Sequence, residues 1–485
     1  MTLTKRIFSG YIWTIFGQWI MRLSGLVSTL ILVRILTPAD FGLIPLAMLV
    51  IGFFDLITGI GVERYILLQD NLDDHLLNSS WTANFILKGL MVIAIYALSG
   101  HAANYFGDAR LEDVLKFVCI TQILPAFKNV GMVKFIKAGN FKPVTFLGII
   151  SRLFGIVTTL YFAYSLRNYW CMVYGSFVSE LVGLVGSYFI SNYRPKLDFK
   201  FHRHLFEFSY KLMFRGVTGY TRSKLDIFLV GHYGTTAVGK YSVAQEFALL
   251  PLSEIISPAA VPFFSGVIQY KNDKTVFYDK VFKYLSLVYL FVIPAICGIF
   301  ITAEQIADIV LGGKWVGVDN TIRWLAVLML PFSLQGVLDI LYDSFGKSGT
   351  NTFVDILGII LIGFMFYYFS LENLDEFVMA RSAIGLFIFS FMILIAKIAI
   401  DFSIKKMLMI LLIPCIGSLI MLLSFYYIYT NTDLTILGLA LNVLFGAFVY
   451  FISSVLLFKL LKNKSDLWHF GYSLIANGAS KFIAR

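Results

Sequence analysis

The chain has 485 residues, of which 58% are hydrophobic and only 14% charged, with a formal net charge of +10. Those proportions exclude the soluble globular classes. Runs of about 20 apolar residues, the length that crosses a bilayer, recur from end to end, so the chain reads as an all-α polytopic membrane protein and not as a barrel of short alternating strands.

At the start, Lys5 and Arg6 precede an apolar stretch reaching Leu36. It is too long for a signal-peptide core and has no convincing cleavage site, so it is predicted to be a retained first helix. About 14 spans in all are counted by the 20-residue criterion, this one included. The first six lie at about 8–35, 41–67, 79–99, 112–134, 143–165 and 169–191. The next six lie at about 206–231, 237–267, 281–302, 321–342, 351–370 and 376–398, and the last two at about 407–429 and 434–459.

Loop charges orient these spans. With a cytoplasmic N-terminus, the inner loops carry Lys128, Lys134, Lys137 and Lys142, then Arg194, Lys196, Lys200 and Arg203, then Lys271, Lys274, Lys280 and Lys283, then Lys405 and Lys406. The tail adds Lys462, Lys464, Lys481 and Arg485 on the same side. The outer loops are poor in cations and carry Asp40, Asp108, Glu304, Asp308, Glu372, Asp375 and Asp433. This is a positive-inside pattern with both termini cytoplasmic, and it accounts for the basic balance without nucleic acid.

The chain repeats internally. Leu36-Thr-Pro-Ala-Asp-Phe-Gly42, then Ala47, answers to Tyr233-Gly-Thr-Thr-Ala-Val-Gly239, then Ala244, at an offset of about 197 residues. Six spans per copy predict two parallel lobes, 1–195 and 196–400, with a binding site between them and residues 401–485 forming two extra helices and the tail. The connection Ser191 to Tyr210 mixes Arg194, Lys196, Lys200 and Arg203 with Phe199, Phe201, Phe206 and Phe208, and reads as an interfacial elbow on the anionic inner leaflet.

Charges within the spans are the main functional signal. Arg22, Arg152, Arg215 and Arg222 stand near the middle of otherwise apolar segments. A charge at the bilayer centre costs roughly 2.5–3.5 kcal/mol on insertion scales, so such residues face a water-filled cavity or a partner. Arg215, Arg222 and Asp226 share one helical stripe with Thr218 and Gly219 nearby, while Lys224 lies opposite. Gln18, Arg22, Gly25 and Thr29 are spaced likewise in the first span, and the repeat offset sets Arg22 opposite Gly219. The guanidinium fork suits phosphate, so these arginines, with Gln18 and Asp226, are expected to line a path for an anionic substrate.

Other readings compete. Arg22 has a candidate partner in Asp55, and Arg152 has one in Glu180, so either arginine could sit in a structural ion pair. Asp55, Glu246 and Glu254 are candidate proton or sodium relays, because desolvation raises an intramembrane carboxyl pKa. Glu63, Arg64, Asp339, Asp355, Lys88 and Arg381 read as helix-end anchors.

No cofactor or metal is expected. Cys119, Cys171, Cys297 and Cys415 lie far apart in apolar segments, and His202 and His204 lack further ligands. Asp40-Phe41-Gly42 has no accompanying kinase catalytic-loop motif, and Gly312-Gly313-Lys314 and Gly346-Lys347-Ser348 lack the phosphate-loop spacing.

Three elements carry a family resemblance: Ser9-Gly10-Tyr-Ile-Trp13, Val33-Arg34-Ile-Leu-Thr-Pro-Ala-Asp-Phe-Gly42-Leu43, and Leu311-Gly-Gly-Lys-Trp315 before span ten. In order and spacing they resemble the polysaccharide-exporter branch of the multidrug/oligosaccharidyl-lipid/polysaccharide flippase superfamily, which includes the O-antigen, capsule and colanic-acid repeat-unit flippases. The resemblance implies two six-helix lobes plus two helices in the bacterial inner membrane, working by alternating access around a cavity lined by helices one, two, seven and eight. It implies an undecaprenyl-pyrophosphate-linked oligosaccharide as substrate, no catalysis, and neighbouring polymerase and chain-length regulator proteins as partners. A related multidrug cation antiporter is the alternative; its acidic cavity residues would be Asp55, Asp226, Glu246 and Glu254. A membrane-embedded polymerase is disfavoured because no outer loop exceeds roughly 20 residues by the span criterion.

Overall fold

The computed structural model describes residues 3–58, 62–69, 72–201, 203–369, 371–428 and 435–473. In chain order the helices are α1 (Leu3–Ile35), α2 (Pro38–Thr58), α3 (Val62–Leu68), α4 (Asp74–Phe106), α5 (Arg110–Phe127), α6 (Met132–Lys137), α7 (Lys142–Leu166), α8 (Trp170–Ile190) and α9 (Arg203–Val230). They continue as α10 (Thr235–Pro251), α11 (Ser257–Val267), α12 (Lys274–Gln305), α13 (Val318–Val327), α14 (Met329–Ser344), α15 (Ser348–Tyr368), α16 (Leu374–Ile400), α17 (Ile404–Ile428) and α18 (Ile436–Leu461).

Among the described residues, twelve stretches are long and apolar enough to cross a membrane. The other two expected spans are occupied by α5 and α9. Charged residues separate them from the twelve: Arg110, Glu112, Asp113 and Lys116 in α5, and Arg222, Lys224 and Asp226 in α9. The expected all-α membrane-spanning class is what the structure has.

Helix starts follow local chemistry. Before α2, Thr37 and Asp40 close a capping box: the Thr37 hydroxyl donates to Asp40 at 2.6 Å and accepts from the Asp40 backbone N–H at 3.3 Å. Pro38 then opens the helix, where its missing N–H removes no bond. Asp73 caps α4 by accepting from Leu76 at 2.7 Å, and Gly107 ends that helix in the left-handed region at φ 69°. Asn373 caps α16, with Glu376 reaching back.

The expected eighth span is not one continuous α-helix. Pro251 ends α10, Leu252–Ile256 forms a π-turn, and α11 resumes at Ser257. Proline has no N–H for the regular ladder, and Pro251, Pro258 and Pro262 all fall here.

The chain forms two compact units, Met1–Ser242 and Val243–Arg485. In the first, α7 and α8 approach backbone to backbone: a Cβ on Gly155 would lie 2.9 Å from the Gly175 carbonyl oxygen, and one on Gly175 would lie 2.8 Å from that of Gly155. Small residues at the crossing permit this contact, which matters where lipid tails give no hydrophobic drive between helices. Helix α9 belongs to this unit. Its Tyr220 hydroxyl donates to Leu49 O at 2.7 Å over Gly52 of α2, and Leu56 of α2 meets Gly216. This packing extends the unit to 242, past the repeat boundary near 195.

In the second unit, α12 is the buried centre, with Tyr289 and Val292 fully covered. The Tyr450 hydroxyl of α18 donates to Leu290 O at 2.7 Å, and Trp468 beyond α18 donates to Met409 O at 3.0 Å. Trp315 of the Leu-Gly-Gly-Lys-Trp element is buried, and its N–H closes a turn on Gly312 O at 3.1 Å. Arg381, expected as a helix-end anchor, is only 5% exposed. One turn along α16 a Cβ on Gly385 would lie 2.5 Å from Leu328 and 3.7 Å from Arg381 Nη1.

Candidate functional site

The repeated turns meet in the first unit. Gly42 is the fifth residue of α2 and Gly239 the fifth of α10, and Thr235 and Gly239 stand 197 residues after Pro38 and Gly42. A Cβ on Gly42 would lie 1.8 Å from the Thr235 carbonyl oxygen; a Cβ on Gly239 would lie 1.8 Å from that of Pro38. The contact is reciprocal, so the two turns pack about a local two-fold axis and close this end of the unit. Leu46 and Phe106 continue the closure against Gly231, and Tyr105 stacks on Phe228 at 5.7 Å.

A polar cluster rims the closed end. Arg110 donates to Asp108 from Nε at 3.0 Å and Nη2 at 2.7 Å, and its Nη1 lies 3.9 Å from Asp40. The Thr235 hydroxyl donates to Asp108 at 3.0 Å. The Arg110 guanidinium holds the Asp108 carboxyl below the usual carboxylate range. A lowered folded-state pKa contributes stability above the ordinary carboxylate value, about 4, and that contribution is lost as pH falls through the lowered value. Asp108→Asn should therefore be less stable than wild type at neutral pH and flatten the acid limb of the thermal-unfolding profile. An unchanged acid limb would show that Asp108 does not carry this dependence.

Away from that end, α1 packs along α7. Thr145 and Gly148 of α7 face Gly17 and Met21 of α1. One further turn along, Arg152 Nη2 lies 3.2 Å from where a Gly25 Cβ would be. Arg22 is one helical turn from Gly25, and Gln18 one turn before that. Gln18, Arg22 and Arg152 are all exposed. A charge at this depth facing lipid would be costly. On α9, Gly219 has open space where a Cβ would project, and Arg222 is half-buried. The Arg215 side chain lies outside the described residues, as do those of Glu63, Arg64, Arg203, Phe206 and Phe208, together with His202, Asp433, Lys481 and Arg485.

The carboxylates are engaged elsewhere. Glu180 accepts from Lys128 Nζ at 2.8 Å, while Arg152 lies against α1. The expected Arg152–Glu180 pair is replaced because α8 turns Glu180 toward the end of α5. Asp55 pairs with Lys88, which is 12% exposed at mid-helix in α4 and is not a helix-end anchor. Asp226 is 5% exposed and accepts from the fully buried Tyr241 hydroxyl at 3.0 Å. In the second unit, Glu246 is exposed, and Glu254, in the π-turn, accepts from the Ser253 hydroxyl at 3.2 Å. Asp355 accepts from Gln335 at 3.1 Å.

The Asp55–Lys88 pair yields a direct expectation. Lys88→Met leaves Asp55 without this cation and should destabilise the protein in detergent. Exposed pairs contribute under about 1 kcal/mol and removing one partner of a fully buried pair costs about 3–5; the half-exposed Asp55 carboxylate puts the effect near the lower value. Asp55→Asn with Lys88→Met should recover most of the loss. A double variant no more stable than Lys88→Met would show that the pairing is incidental.

The chain is similar in sequence and in fold to several known proteins. Residues 31–319 match the family described as polysaccharide biosynthesis protein. The succinoglycan biosynthesis transport protein ExoT of Rhizobium meliloti (strain 1021) is 24% identical over 288 residues, 59% of this chain and 58% of that one. The chain thus spans under two thirds of that relative. The lipopolysaccharide biosynthesis protein WzxC of Escherichia coli (strain K12) is 21% identical over 342 residues, 68% of each chain. The fold is shared with the lipid II flippase MurJ in an inward closed conformation, at TM-score 0.74 and 16% identity, covering 93% of this chain and 99% of that one. An inward-facing multidrug resistance MATE family transporter of the MOP superfamily shares it at TM-score 0.63 and 14% identity, covering 79% and 94%.

Proposed function

We propose that this chain, which belongs to the polysaccharide biosynthesis protein family, is a flippase that carries undecaprenyl-pyrophosphate-linked oligosaccharide repeat units across the bacterial inner membrane. The observation that carries this reading is the exposure of Arg22 on α1 and of Arg152 where α7 packs on α1, since charge within a spanning helix favours a hydrated, anion-accepting cleft. Two guanidinium forks suit a pyrophosphate. Gln18 serves the sugars by hydrogen bonding; Arg215 and Arg222 add positive charge from α9, and Asp226 braces that helix through Tyr241.

Transport proceeds by alternating access between repeat lobes 1–195 and 196–400, with 401–485 beside them. The positive-inside loop charges support cytoplasmic termini, and with that orientation the Gly42–Gly239 contact is the closure on the outer side. Glu246, Glu254 and Asp55 are the groups through which an ion gradient would act. A polymerase and a chain-length regulator receive the flipped unit.

The cation-antiporter reading is weaker. Of its four candidate carboxylates, Asp55 is joined to Lys88 and Asp226 is buried against Tyr241, which leaves Glu246 and Glu254. The test is complementation: the chain is expressed in a strain lacking its own repeat-unit flippase, and surface polymer is stained. Restored polymer supports the reading. Drug resistance in the expressing cells, with no polymer in strains of several sugar types, overturns it in favour of the antiporter.

A further inference from the structure

The segment 191–201 is extended and strapped across the first unit. Asn129 Nδ2 donates to Tyr193 O at 2.6 Å, the Tyr193 hydroxyl donates to Asn78 at 2.8 Å, and the Asp198 N–H donates to Thr82 at 2.9 Å. Where this strap leaves α8, it closes one side of a groove of about 540 Å³ lined by Phe127, Leu184, Val185, Tyr188, Phe189 and Arg194.

The groove has two chemistries. Its wall is apolar and open to the bilayer: Phe189 is 84% exposed and Val185 47%. Its mouth is a held cation. Arg194 Nη1 donates to Ser191 O and Tyr193 O, both at 2.8 Å, and the guanidinium lies 5.6 Å over the Tyr188 ring. The Tyr188 hydroxyl is itself fixed on Phe127 O at 2.9 Å. Both described bonds use Nη1, so Nε and Nη2 can meet an acceptor from outside. The carboxylate one turn deeper, Glu180, is taken by Lys128. Loop charges put this end of α8 at the inner, anionic leaflet.

We propose that this groove is a binding site for an anionic phospholipid of the inner leaflet, its phosphate on Arg194 and one acyl chain along Phe127, Val185 and Phe189. The site is separate from the arginine cleft, and its occupant is a bound lipid and not cargo. Charge complementarity at the mouth selects an anionic headgroup, and the lipid-facing wall selects an amphiphile over free phosphate.

The full chain reconstituted with spin-labelled phosphatidylglycerol or phosphatidylcholine tests this by the immobilised fraction of each label. Wild type should hold phosphatidylglycerol about fivefold more tightly, the difference expected for one basic residue at a membrane surface. Arg194→Gln should bring the two lipids to parity. Val185→Trp, which fills the groove and leaves Arg194 in place, should lower the immobilised fraction of the phosphatidylglycerol label, whereas Lys271→Gln in the second unit should change nothing. Equal retention of both lipids by wild type overturns the proposal, and so does Arg194→Gln behaving as wild type. Displacement of the label by inorganic phosphate alone would also overturn it, because the acyl chain would then contribute nothing.

Discussion

Valine at Gly42 should hold the closed end of the first unit open and remove nearly all transport. A Cβ there would lie 1.8 Å from the Thr235 carbonyl oxygen and 3.0 Å from the Gly239 nitrogen. Both neighbours are backbone, so no side chain can swing aside and the two helix starts must separate. Overpacking a fitted contact costs about 1–3 kcal/mol, a shift of roughly 5- to 150-fold against closure. Gly239→Val should match it, because its Cβ meets Pro38 O at the same 1.8 Å. The readout is a cysteine at Leu46 in a background freed of its own cysteines. Leu46 is fully covered beneath the closure, so an impermeant maleimide added from outside should label it in the valine variants far faster than in wild type. Surface polymer in the complemented strain should fall at least about fivefold by the same energies. Gly89→Ala, where a Cβ meets nothing within 4 Å, is the matched control. Normal export with Gly42→Val at wild-type membrane levels would show that this contact is not a gate.

Removing the charges along the α1–α7 seam should have the second large effect. A hydrogen bond to a charged group contributes about 1.5–3 kcal/mol, so Arg22→Ala or Arg152→Ala should each cut export about 10- to 150-fold. Lysine at either position should recover only part of it, since a point charge cannot reproduce the bidentate fork. Both side chains are exposed, so unfolding temperatures should change little, and that separates a substrate contact from a structural one. Intact export with alanine at both positions would remove the anionic cleft from the mechanism.

The helices themselves were legible in sequence. Apolar runs of membrane length located the spans, whereas the starts at Pro38, Asp74 and Leu374, set by the Thr37–Asp40 box and the Asp73 and Asn373 caps, fall before the expected 41, 79 and 376. The repeat was legible too: Thr-Pro-Ala-Asp-Phe-Gly42 and Gly-Thr-Thr-Ala-Val-Gly239 stand at equal spacing, and the reason for both glycines is their mutual contact. The polar cluster Asp40, Asp108, Arg110 and Thr235 was not found as a unit, although Asp40 and Asp108 had been assigned to outer loops. Its members come from three separate turns, and nothing local links them.

By itself the sequence determined the membrane class, the span order and the presence of charges within the spans, because each depends on composition or on neighbours a few residues apart. The tertiary structure decided which charge meets which. Each residue turns the helix face by about 100°, and pairs such as Asp55–Lys88, Lys128–Glu180 and Asp226–Tyr241 depend on the rotation and depth of helices set by distant packing. Small residues decided that packing: Gly25 gives Arg152 room against α1, and Gly52 lets Tyr220 reach the α2 backbone. A carboxylate and an arginine at similar depth are therefore only candidates for pairing until the glycines that let helices approach have set which faces meet.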